Sequence, residues 1–159
     1  MSRMNTGARR RGRELALKII YSLQGREGSP ENLLRDFWEN FRFSDDLLGE
    51  PLEEFAQPVQ REVRRFAEDL VFGVAEHLEK IDGIIGQFST NWSLERMARV
   101  DLSILRLATF ELLFRPEVPA SVVMNEAIEI GKRYGTGDTP AFVNGILDKI
   151  SRTCRPSAQ

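Results

Sequence analysis

Between Met97 and Leu112, Met97, Val100, Ile104 and Leu107 fall on one stripe of a helix and Leu102, Leu105 and Leu112 on another. A helix apolar on more than one face has to lie among several neighbours, because one neighbour covers one face. The chain supplies only helices for that purpose. A first is expected over about 9–24, with Leu15, Ile19, Ile20 and Leu23 inward and Gly25 and Gly28 as the stop. A second opens at Ser29, a good N-cap, with Pro30 at the first helical position, and runs through Phe41. Residues 42–57 read as irregular. A third helix opens at Pro58, with Val59, Val63, Phe66, Leu70, Val74 and Leu78 at three-four spacing to about His77. A short helix holds Ile81, Ile84, Ile85 and Phe88. The central helix is expected over about 94–114, with Ser93 as cap and Trp92 and Met97 as a hydrophobic staple. Two more run from Pro119 to Tyr134 and from Thr139–Pro140 onward. No strand pattern, repeat or low-complexity segment is present, so the class is all-α with about seven helices.

At 159 residues the chain suits one domain, or two small subdomains sharing a core. No apolar run approaches the roughly 20 residues that span a bilayer. The start has no secretory h-region. A mitochondrial transit peptide ranks lower than a mature N-terminus, because the first helix is needed for the core. The single Cys154 has no partner for an internal disulfide, which fits a reducing cytoplasm.

Charge is distributed unevenly. Arg3, Arg9, Arg10, Arg11 and Arg13 give residues 1–13 a charge of +5, so the remainder carries −7 against the net −2. These arginines enter a helix N-terminus that already holds about half a positive charge. Each costs helix stability on the order of 0.3–1 kcal/mol, where folding alone favours Asp or Glu. Guanidinium forks beside free backbone N–H groups make a phosphate site. The competing reading is a solvated tail. Region 31–56 carries −6 and reads as an acidic, solvated loop.

Catalytic chemistry has little support. His77 is the only histidine and suits a surface capping role at a helix end. No ligand spacing for a metal occurs, and neither a P-loop nor a dinucleotide fingerprict is present. Glu126 and Glu129 have Lys132 and Arg133 at salt-bridge spacing, which describes a solvated face. No enzyme, cofactor or metal is expected. Aromatic residues fit single-stranded RNA, whose bases stack on exposed rings. Tyr21 falls off the first helix's apolar stripe, and Phe88 and Phe142 sit near helix ends. For any one of these, core packing is the commoner use. Asp138 is not needed as a cap if Thr139 fills that role, which leaves a loop carboxylate to accept hydrogen bonds.

The chain resembles the NusB family of bacterial transcription antitermination factors. The likeness runs from Arg9-Arg10-Arg11-Gly12-Arg13-Glu14-Leu15-Ala16-Leu17 and Ile20-Tyr21 through Trp92-Ser93-Leu94-Glu95-Arg96-Met97, Val100-Asp101 and Ile104-Leu105-Arg106-Leu107-Ala108. It continues through Val118-Pro119, Asn125-Glu126-Ala127-Ile128-Glu129, Tyr134-Gly135 and Phe142-Val143-Asn144-Gly145-Ile146-Leu147-Asp148. About 25–57 departs as a longer, more acidic insertion.

The resemblance implies two small helical bundles packed across each other. It divides the chain into a basic arm at 1–13, a helical RNA-binding domain at 14–152 and a tail at 153–159. It implies that, with the ribosomal protein NusE, the chain binds the boxA element of nascent ribosomal RNA and joins NusA and NusG on RNA polymerase in the cytoplasm. RNA contacts then fall on Arg9, Arg10, Arg11, Arg13, Tyr21, Asp138, Thr139, Phe142 and Asn144, with Phe88 a weaker carry-over. Glu95 and Asp101 are contacts to RNA or NusE, not assigned between them. Homodimers also occur in the family. The same domain forms the N-terminal part of a ribosomal RNA cytosine methyltransferase, the alternative reading. That enzyme needs a large further domain, and with the sequence ending at Gln159 the expectation is a factor without catalysis.

Overall fold

Seven α-helices and no strand make up the described residues, 4–40 and 60–155, of the computed structural model. They are α1 (Thr6–Leu23), α2 (Pro30–Asn40), α3 (Arg61–Glu76), α4 (Leu78–Phe88), α5 (Arg99–Phe114), α6 (Ala120–Tyr134) and α7 (Thr139–Cys154). The all-α expectation and its helix count hold. The irregular 42–57 segment, a helix start at Pro58 and Arg3 lie outside the described residues, as does most of the acidic insertion.

The chain divides into two compact units, Met1–Phe72 and Gly73–Gln159. In the first, α1 is capped by Asn5, whose side chain accepts from the Ala8 N–H at 2.7 Å. The helix therefore starts at Thr6, and Arg9–Arg13 are helical rather than part of an arm preceding the fold. Gly25 and Gly28, at φ +77° and +130°, end the segment in backbone that side chains disfavour. The Ser29 hydroxyl accepts from the Asn32 N–H at 3.2 Å, as the N-cap reading requires. Trp38 on α2 donates its indole N–H to Glu68 at 2.7 Å and lies under the Arg64 guanidinium. Gly12 lets α1 meet the Phe66 ring, since a Cβ there would stand 2.5 Å from Phe66 Cδ2.

Burial on α1 reaches beyond its apolar stripe. Its residues Gly12–Ile20 are all buried, including Arg13, Glu14 and Lys18, the last 1 % exposed. All three engage other groups, as buried charge must.

In the second unit α5 is central, with α4, α6 and α7 all packed on it. Ile104, Leu105, Leu107 and Leu112, drawn from both stripes, are buried. The start differs from expectation. Leu94–Arg96 wind one 3-10 turn, Met97 and Ala98 are extended, and α5 begins at Arg99. Ser93 makes no side-chain cap. Two ties close the bundle. Arg106 on α5 grips Asp82 on α4 through two hydrogen bonds of 2.9 Å. Arg155, just past α7, donates to the backbone carbonyls of Leu112 (3.0 Å), Glu111 (3.0 Å), Arg115 (2.8 Å) and Val118. Its fork thus serves carbonyls at and just past the C-terminus of α5, where backbone acceptors are left open. The segment read as a tail from 153 is helical through Cys154.

His77 does not act as a side-chain cap. Its ring stacks on Phe114 with centroids 3.9 Å apart, and its Nε2 lies 3.3 Å from the Glu76 carboxylate. Glu126 is buried, not part of a solvated face, while Glu129 and Lys132 do pair at 3.3 Å on the surface.

Candidate nucleic-acid interface

The residues expected to meet RNA fall in both units, and each unit's share stands by itself. In the first, α1 carries them. Arg9 and Arg10 are exposed and Arg11 is half-buried. The first turn holds no acid to offset the helix dipole, so backbone and side chains add positive potential at one end. Arg13 differs. It is 4 % exposed, with its guanidinium 5.6 Å from the Phe66 ring centre. The structure thus places Arg13, expected as an RNA contact, in the packing between α1 and Phe66. Tyr21 is half-buried near the other end of α1.

In the second unit the start of α7 is built as a locked corner. Thr139, 1 % exposed, donates its hydroxyl to Asp101 Oδ1 at 2.7 Å and accepts from the Thr136 N–H at 3.0 Å. The Thr136 hydroxyl accepts from the Asp138 N–H at 3.3 Å. Gly135 is pressed against the Thr139 side chain, where a Cβ would collide. These bonds hold Asp138 outward: it occupies the N-cap position of α7, makes no side-chain cap, and is exposed. Thr139, expected as an RNA contact, is buried, and its hydroxyl ties the loop to α5 inside the protein. Asp101 is half-buried and shares this duty.

Phe142 and Asn144 lie on the first turns of α7, half-buried and exposed respectively. The Phe142 ring meets Trp92 edge to face, centroids 6.0 Å apart and planes at 83°. Trp92, expected to form a hydrophobic staple with Met97, is 50 % exposed. It stands on the lip of an open groove of about 570 Å³ lined by Gly86 and residues 89–96, Glu95 among them. Phe88, at the end of α4, is half-buried beside this segment in sequence. The structure therefore brings Trp92 and Glu95 to one groove and sets Phe142 against Trp92. It withdraws Arg13 and Thr139 from the surface.

Among the described residues, no three His, Cys, Asp or Glu side chains gather as a metal site. No described helix is long and apolar enough to cross a membrane.

Comparison with known proteins agrees with this architecture. The chain is 72 % identical over 153 residues to the transcription antitermination protein NusB of Syntrophotalea carbinolica, covering 96 % of this chain and 97 % of that one. It is 50 % identical to the protein of the same name from Geobacter sulfurreducens, over 92 % and 96 % of the two chains. A T. maritima NusB structure superposes with a TM-score of 0.71 at 36 % identity, over 91 % and 90 %. A structure of antitermination factors NusB and NusE with double-stranded RNA shares the fold, at TM-score 0.74 and 24 % identity, over 94 % and 99 %. The model of the NusB family matches residues 10–152, and with relatives this similar over nearly its whole length the chain belongs to the NusB family.

Proposed function

We propose that this antitermination factor acts as an RNA-binding scaffold that, with NusE, holds the boxA element of a nascent ribosomal RNA leader. Through that complex it joins NusA, NusG and RNA polymerase in the cytoplasm. The observation that carries the RNA part is the N-terminus of α1. Exposed Arg9 and Arg10 stand on a helix start with no acid in its first turn, an arrangement that costs folding stability and favours a polyanion. The exposed Asp138, Asn144 and half-buried Phe142 at the start of α7 supply acceptors and a ring for reading bases. The partners follow from membership of the family, whose named relatives are transcription antitermination proteins rather than enzymes.

Fluorescence anisotropy of a labelled boxA RNA, beside a scrambled RNA and with or without NusE, tests the reading. Tighter binding of boxA, strengthened by NusE, supports it. Equal binding of both RNAs and indifference to NusE reduces the protein to a basic helix end on a bundle.

A further inference from the structure

We propose that Trp92 is the stacking platform for one unpaired RNA base, and that the groove beside it is the pocket of that nucleotide. The proposal rests on the RNA-binding reading and extends it to a residue with no role there.

Exposure is the first observation. Trp92 stands 50 % exposed, the most exposed of the large apolar side chains among the described residues. A tryptophan left in water forgoes the burial that makes it useful to a fold. Rigidity is the second. The Trp92 N–H donates to the Ser89 carbonyl at 2.9 Å, and the Ser89 hydroxyl donates to the Trp92 carbonyl at 3.1 Å. Ser89 is buried, so the turn is pinned from below. Beyond it, the Arg96 N–H donates to the Ser93 carbonyl and the Met97 N–H to Leu94. Phe142 braces the indole edge-on. The ring is thus held in place before any ligand arrives, and little entropy remains to be lost on stacking.

Chemistry of the lining is the third. The groove's volume of about 570 Å³ falls within the range of ligand clefts, about 300–1,000 Å³. Among the described residues, the side chains of Asn91, Glu95 and Arg96 on its wall have no hydrogen-bond or ion-pair partner, and all three are exposed. An amide and a carboxylate match the donors and acceptors of a base edge, and a guanidinium matches a phosphate. A peptide partner would be better served by an apolar groove, whereas this wall is mostly Ser, Thr, Asn, Glu and Arg around one large ring. Stacking on a ring with polar readout at its edge is how single-stranded RNA is held.

The test compares the full-length protein with Trp92→Ala and Trp92→Phe, by anisotropy of labelled boxA RNA and of labelled NusE, alongside circular dichroism. The expected result is a roughly tenfold loss of RNA affinity for Trp92→Ala and near-complete retention for Trp92→Phe, with NusE binding unchanged. Tryptophan emission of the unmutated protein is expected to be quenched as RNA saturates, and a Trp38→Phe variant assigns the quench to Trp92. RNA binding that persists undiminished in Trp92→Ala, with no quench, overturns the platform while leaving the scaffold function standing. Loss of NusE binding with RNA binding intact also overturns it and makes the groove a protein contact. No RNA binding by the unmutated protein sinks the scaffold reading and the platform together.

Discussion

The hydroxyl of Thr139, at the start of α7, donates to the carboxylate of Asp101 on α5 across 2.7 Å. One short bond therefore ties the loop bearing Asp138 to the central helix of its unit. Thr139→Val keeps the shape and removes the bond. It also strands the Thr136 N–H, which the same oxygen accepts. We expect a loss of about 2 kcal/mol in urea unfolding, with faster amide exchange at residues 135–139. Thr139→Ser is expected to retain the exchange protection, and equal behaviour of both variants would contradict a positioning role.

Arg9 is expected to act on RNA through charge alone. Arg9→Ala should weaken boxA and scrambled RNA by the same factor and flatten the plot of log affinity against log salt by about 0.7. A loss confined to boxA would instead make Arg9 a base reader.

Gly73 faces the Phe110 ring so closely that a Cβ would stand 2.8 Å from Phe110 Cε2 and nearer still to Cζ and Cε1. That ring is 2 % exposed and held by Phe114 and the Arg115 guanidinium. Alanine normally stabilises a helix by about 1 kcal/mol over glycine. Here the clash wins, and Gly73→Ala should destabilise by about 1–3 kcal/mol. Adding Phe110→Leu should recover part of that loss in thermal unfolding.

Burial pushes the Cys154 thiol up, against the opposing pull of Lys80 and Arg155. Less thiolate is then present at a given pH, and the thiolate is what reacts. Alkylation by iodoacetamide at about pH 8 should be slower than for an unperturbed cysteine, whose pKa is about 8.5. The rate should continue to climb at pH values where the reference cysteine has levelled off.

The helices were legible wherever a period and a punctuation mark agreed. Ser29–Pro30 opened α2, Gly25 closed the segment before it, and the two stripes of α5 announced a central helix. The break at Met97–Ala98 was not legible, because Met97 is buried whether or not the helix runs through it. Trp92 and Ser93 also mimic a helix start that the backbone does not make. Charges misled in a consistent way. Glu14, Lys18 and Glu126 sit where periodicity points to solvent, yet all are buried. Burial of a charge depends on a partner distant in sequence, which no local pattern carries. Of the candidate site, the residue types were readable and their accessibility was not. Arg13 and Thr139 turned inward, while Trp92 turned out.

Arg155 closes the end of α5 from 40 residues downstream of Arg115 and 44 downstream of Glu111. On a ribosome that order matters. The central helix emerges first, with its last carbonyls open to water, and they are sealed only when nearly the whole second unit has been synthesised. Closure of α5 therefore waits until residue 155 has been made, and a chain released before that point presents a bundle without its latch to the cell's proteases.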